Sequence, residues 1–241
     1  RDMAEAVENV LKSYGVSVIT GAGLKEIKEG TAVYTKNGEE DTLDSDAILL
    51  ATGRGPNTEG LHAQRAGVEL TKRGAVVTDK QLRTTAENIW AAGDVCGNLQ
   101  FTYISLDDSR IILSDMQGDG SRTTENRGAF AYSVFMEPSF SRAGLSEKEA
   151  ADKGLNYRVV RMNTDMIPKA KVLRKTTGML KAVIDKDSGK IFGAALFCPE
   201  SYEIINMVKL AMDHDLDYTV LRDFIYTHPT MSEGLNDLFA L

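Results

Sequence analysis

The segment Asn88-Ile89-Trp90-Ala91-Ala92-Gly93-Asp94-Val95 constrains the fold of this chain more than any other. An apolar run that closes on Gly-Asp reads as a strand delivering a carboxylate to the carboxyl end of a sheet, where ligands of open α/β folds bind. Gly93 would let a ligand approach the backbone, and Asp94 could accept hydrogen bonds from sugar-like hydroxyls. Taken alone, the motif is equally a strand-end turn. Upstream, Asp46 to Ala51 reads as a second buried strand, running into Thr52-Gly53-Arg54-Gly55-Pro56-Asn57, whose glycines and Pro-Asn are turn chemistry.

The residues before these two segments have the order of a nucleotide-binding half. Residues 2 to 14 place Met3, Val7, Val10, Leu11 and Tyr14 on one helical face, with Asp2 as N-cap and Gly15 at the end. Val16 to Thr20 reads as a short buried strand, Gly21-Ala22-Gly23 as a turn, and Leu24 to Ile27 with Thr31 to Thr35 as a hairpin around Glu29-Gly30. No G-x-G-x-x-G fingerprint occurs anywhere. Gly67 to Leu70 and Gly74 to Asp79 read as short strands, and Leu106 to Met116 as the helix that follows Asp94.

Gly118-Asp119-Gly120-Ser121 and the polar run to Arg127 read as a linker, after which a second domain begins. Expected strands are 131 to 135, 157 to 162, 179 to 184 and 190 to 197, the last two flanking a turn at Asp185 to Gly189. Ser146 with Glu149 predicts a capping box, Ser201 to Asp213 a long amphipathic helix, and residues 217 to 225 and 231 to 239 short closing helices. The expected fold class is therefore α/β, with partial Rossmann-like nucleotide-binding segments, followed by an α+β domain of antiparallel sheet backed by helices.

The best acid/base candidate lies in Tyr226-Thr227-His228-Pro229-Thr230-Met231-Ser232-Glu233. Pro229 disfavours helix at His228 and presents it on an extended segment. Glu233 admits two readings on spacing. It could hydrogen-bond one imidazole nitrogen, fix the tautomer and free the other nitrogen for proton transfer, or it could close a Thr230-x-x-Glu233 capping box.

His-Pro-Thr-x-Ser-Glu resembles the active-site signature of the flavin-dependent pyridine nucleotide-disulfide oxidoreductases, the family of dihydrolipoamide dehydrogenase, glutathione reductase and mercuric reductase. Ala51 to Asn57 resemble that family's crossing from the nicotinamide domain back to the flavin domain, and Ala91 to Val95 its flavin contact. The resemblance implies Glu233 as the partner of His228, with the pair acting as acid/base on the other subunit of a homodimer. It also implies FAD and NAD(P)H as cofactors, Gly53, Arg54, Gly93, Asp94 and Thr102 at the cofactor, and a small-molecule substrate. The implied domains are 1–52 (part of the NAD(P) domain), 53–122 (part of the FAD domain) and 123–241 (dimerisation). Phe101 to Asp108, Ser201 to Asn206 and Thr227 to Phe239 look most like the branch, related to mercuric reductase, that protects bacteria against reactive chlorine species and in some members reduces copper(II). The terminal cysteine pair usual in a mercuric reductase is absent from Leu238-Phe239-Ala240-Leu241.

Neither a C-x4-C nor a C-x-x-C pair is present, because the two cysteines are Cys96 and Cys198, both expected to be small buried hydrophobes. With the fingerprint and the redox pair missing, the chain is expected to be a piece of a longer reductase, inactive alone. The alternative is a dimerisation or interaction module without redox activity. A hydrolase is disfavoured by the lack of a G-x-S-x-G elbow. His62, His214 and His228 fit no common metal-site spacing, and Asp185, Asp187 and Gly189 fit no calcium loop, so no metal is expected. The net charge of -7, without a basic stripe, argues against nucleic acid. No run reaches the roughly 18 to 20 apolar residues of a membrane span, and Arg1 to Glu5 do not read as a signal peptide, so a cytosolic location is expected.

Overall fold

In a computed structural model, described here for residues 2–241, the chain divides into two compact units, residues 22–127 and residues 2–21 with 128–241. In chain order the elements are α1 (Asp2–Ser13), β1 (Ala22–Lys28), β2 (Thr31–Lys36), β3 (Glu39–Asp44), α2 (Thr102–Gln117), β4 (Ala131–Val134), β5 (Phe140–Gly144), α3 (Glu147–Asp152), β6 (Tyr157–Asn163), α4 (Pro168–Leu173), β7 (Met179–Asp185), β8 (Ile191–Phe197), α5 (Ser201–Asp213), α6 (Thr219–Arg222) and α7 (Gly234–Ala240). Mixed α/β architecture with antiparallel sheets is the result.

The larger unit is built on a five-stranded antiparallel sheet of order β4-β5-β8-β7-β6. Alternation sets its faces: Leu180, Ala182 and Ile184 of β7 and Ala194 and Leu196 of β8 point to one side, where they meet Ile204, Ile205, Val208 and Ala211 of α5. Met231, Leu235, Leu238 and Phe239 complete this core and are essentially without solvent exposure. On the opposite face α1 lays Met3 and Val10 against Phe197, with Phe140 and Met179 beside them. Lys181 emerges on that face almost buried, where its ammonium meets Asp2 and Glu147. Burial alone would lower its pKa, but the hydrogen bonds to Glu147 and Asp2 outweigh it and hold the ammonium above its ordinary value.

Several expected elements form as read. The capping box at Ser146 and Glu149 is present with both of its reciprocal bonds, α5 has the expected limits, and β7 and β8 form the expected hairpin. Strand β5 escapes sequence reading because Ser139, Ser141 and Ser201 are buried polar residues. Their hydroxyls satisfy one another at 2.8 Å, which removes the cost that would otherwise keep them at the surface.

The smaller unit contains the meander β1-β2-β3, and α2, whose Ile104 and Ile111 are buried, Ile111 against Leu82 and Cys96. The strands expected just before and within this unit need correction. Val16 to Thr20 and Asp46 to Ala51 form no strands, and Leu49 is 90% exposed. A buried parallel-type strand exists only through neighbours on both edges, and among the described residues neither segment has one. Residues 88 to 92 and the pairs around Leu70 and Val76 likewise make single bridges in place of regular strands. No parallel sheet is present among the described residues, so the Rossmann-like part of the expected fold is not formed by these residues themselves.

This distribution of order makes a prediction. Limited proteolysis is expected to cut first within 14–21 and 45–60, where apolar segments lie exposed without a ladder, and to leave 128–241 as the resistant core. Initial cleavage inside β6 to β8, read by mass spectrometry, would contradict it.

Candidate active and cofactor site

His228 and Glu233 belong to the larger unit. Residues 223–230 run as an irregular, mostly exposed loop from α6 to the turn that starts α7, and the His228-Pro229 peptide is cis. The imidazole Nδ1 lies 2.7 Å from Glu233 Oε2. The other carboxylate oxygen, Oε1, accepts from the Thr230 backbone N–H at 3.1 Å, and Thr230 Oγ1 accepts from the Glu233 backbone N–H at 3.3 Å. Both contacts that the spacing allowed are therefore made, one by each oxygen, and the reciprocal pair with Thr230 closes the turn just before α7. This matters chemically, because a carboxylate fixed by a cap cannot swing away from the ring it orients. Glu233 is 15% exposed and the imidazole 69%, so a well-held carboxylate carries a largely exposed ring.

Gly53, Arg54, Gly93, Asp94 and Thr102 belong to the smaller unit. The Arg54 guanidinium stands 3.8 Å from the Asp94 carboxylate, and both are open to solvent. Gly53 adopts φ +100°, and a Cβ built there would meet nothing within 4 Å, so the backbone is bare at that point. Thr102 is exposed at the first position of α2, whose N-terminus has no side-chain cap. A cation, an acceptor carboxylate and an open helix N-terminus form a donor set suited to a ligand with anionic phosphates and hydroxyls, and that chemistry fits a flavin dinucleotide.

The Gly93–Asp94 turn is held from behind by residues that sequence reading missed. Asp108 Oδ2 accepts the Gly93 N–H at 2.8 Å, and its Oδ1 accepts from Arg127 Nη2 at 2.7 Å. Asp107 pairs with Arg122 and lies 3.4 Å from Arg127 Nε. One helical stretch further, Asp115 accepts from Arg83 Nε at 2.7 Å and from Trp90 Nε1 at 2.9 Å, which hold its carboxyl below the usual range. A signal was available: Ile104, Asp108, Ile111 and Asp115 share one helical stripe, so two acids sit where apolar residues belong. Gly93 itself is needed at φ +76°, since a Cβ would lie 2.8 Å from Ser105 Oγ.

Both cysteines are buried and free. Burial pushes the Cys96 thiol up to about 11 and the Cys198 thiol up to about 12, so neither is a thiolate nucleophile at neutral pH. Among the described residues no group of three or more His, Cys, Asp or Glu could hold a metal ion, and no helix is long and apolar enough to cross a membrane.

Comparison with known proteins gives these elements a context. The family model for pyridine nucleotide-disulphide oxidoreductases matches residues 1–109, and the model for the dimerisation domain of the same family matches 130–239. The chain is 46% identical to a probable pyridine nucleotide-disulfide oxidoreductase, RclA, of Escherichia coli (strain K12), over 100% of this chain and 55% of that protein. It is 33% identical to a mercuric reductase of Staphylococcus aureus, over 97% of this chain and 43% of the relative. The solved structure of the HOCl-induced flavoprotein disulfide reductase RclA from Escherichia coli matches with a TM-score of 0.92 at 46% identity, covering 100% of this chain and 55% of that one. The chain thus spans about half the length of the curated relatives it matches. With the two models of one family accounting for nearly all of its residues, the chain belongs to the pyridine nucleotide-disulphide oxidoreductases.

Proposed function

We propose that this chain is the C-terminal part of an FAD-dependent NAD(P)H:disulfide oxidoreductase, and that it contributes the acid/base pair and part of the flavin site. The observation that carries the reading is the 2.7 Å contact of His228 Nδ1 with a carboxylate that its own cap immobilises. Glu233 orients the ring and balances its charge, leaving Nε2 to hold or release a proton on a group outside the unit. An exposed imidazole on the domain matched by the dimerisation model is what action across a homodimer requires. The domain assignment proposed is 1–52, 53–122 and 123–241, with the nicotinamide and flavin segments completed by residues outside this chain.

When bound, FAD would supply the two-electron step between a nicotinamide and a redox disulfide. Arg54 and the α2 N-terminus with Thr102 would hold its phosphates, and Asp94 would accept from its hydroxyls. The disulfide would come from outside this chain, since Cys96 and Cys198 are each buried in the core of a different unit. The small-molecule substrate would meet the proton held by His228.

Flavin binding tests the reading. In a full-length reductase carrying this sequence, Asp94→Ala is expected to raise the dissociation constant for FAD about tenfold or more, the cost of a lost charged hydrogen-bond acceptor. It is measured by flavin fluorescence after gel filtration. Unchanged affinity would remove Asp94 from the site. If the full-length protein retains no flavin and elutes as a dimer, the second reading, an interaction module without redox activity, takes its place.

A further inference from the structure

The loop that carries His228 is held by an unusual donor. No helical or strand ladder supports residues 224–229, and most of them are exposed. The carbonyls of Leu221 and Arg222 end α6, where a helix leaves its last acceptors unpaired. Asn236, in the first turn of α7, directs its carboxamide NH2 at both and at Phe224 O, sharing two hydrogens among three acceptors: 3.2 Å to Leu221 O, 2.7 Å to Arg222 O and 3.0 Å to Phe224 O. Carbonyl oxygens only accept, so the NH2 end of the amide must face them. Glu233, three residues earlier on the chain, grips the other end of the loop at His228 and Thr230. Between the two grips, Tyr226 is half-buried against the core and donates its hydroxyl to Leu221 O at 3.1 Å.

We propose that Asn236 is a positioning residue for the His228–Glu233 pair. It caps the C-terminus of α6 from outside and fixes the start of the loop to the same turn of α7 whose Glu233 fixes its end. The path from Phe224 to His228 therefore begins and ends on one rigid element, and the imidazole reaches Glu233 without the loop having to find it. The proposal rests on the acid/base reading of His228, but it concerns geometry that can be read without turnover.

The test is the tautomer of His228 in the 241-residue chain, read from long-range 1H–15N NMR spectra of the imidazole nitrogens. In the unaltered chain the neutral ring should carry its proton on Nδ1, facing Glu233. Asn236→Leu, similar in shape and without donors, is expected to reduce the Nδ1–H form about twofold or more, and Asn236→Ser, with one short donor, by less. In a full-length reductase, Asn236→Leu should lower kcat about tenfold while leaving KM nearly unchanged, as a misplaced catalytic group does. An unchanged tautomer in a folded Asn236→Leu protein, or in Asn236→Ser if the leucine variant fails to fold, overturns the proposal. Loss of the Nδ1–H form with undiminished turnover would instead leave the positioning intact and overturn the acid/base role of His228.

Discussion

His228→Gln is expected to lower kcat of a full-length reductase carrying this sequence about a hundred- to ten-thousand-fold, with little change in flavin binding. The expectation follows from the contacts on each side of the ring. Nδ1 is committed to Glu233 at 2.7 Å, so proton transfer falls to Nε2, and glutamine offers no nitrogen that can exchange a proton near neutral pH. Protein stability should move little, because the imidazole is 69% exposed. Stopped-flow absorbance separates the steps. Reduction of the flavin by NAD(P)H should survive in the variant, while the transfer that needs a proton should slow. A variant that turns over within threefold of the unaltered enzyme would contradict the role. Glu233→Ala should be the more complex lesion, since it removes the partner of the ring and the acceptor of Thr230 N–H together.

Asp108→Ala should be among the most destabilising single changes in the smaller unit. It deletes an almost fully buried carboxylate that joins Arg127 to the Gly93 backbone. Breaking a buried ion pair by removing one partner costs about 3 to 5 kcal/mol. The lower end applies here, since Asp107 remains near Arg127 to share its charge. The Gly93 N–H would lose its acceptor as well, and the turn that carries Asp94 would lose its support. Asp108→Asn should cost less, because the amide oxygen can still accept from Gly93. Urea denaturation followed by the fluorescence of Trp90, which hangs from the same helix through Asp115, reads both variants. Equal midpoints for Asp108→Ala and the unaltered chain would show that the buried charges are not supporting this unit.

Only part of the site was legible in the sequence. His228, Pro229 and Glu233 lie within six positions, so their mutual arrangement is a matter of local backbone, and spacing named both contacts that Glu233 makes. Asn236 carries no comparable signal. It acts on carbonyls twelve to fifteen residues away, and nothing in α7 distinguishes it from an exposed helix residue. The helix expected over 217–225 is shorter, Thr219–Arg222, and its last carbonyls meet a side chain from another element, a contact that local spacing does not announce.

The sequence by itself determined what depends on neighbours along the chain: the capping box at Ser146, the stripe of α5, the turn between β7 and β8, and the Thr230–Glu233 turn beside the histidine. Hydrogen bonds that close over a few residues cost little loop entropy and need no distant partner. Tertiary structure alone decided that Ser141 goes into the core, that Asp108 supports Gly93, and that Val16 to Thr20 and Asp46 to Ala51 remain without a ladder. A strand is a pairing and a buried polar group is a satisfied partner, and both are properties of two segments brought together in space.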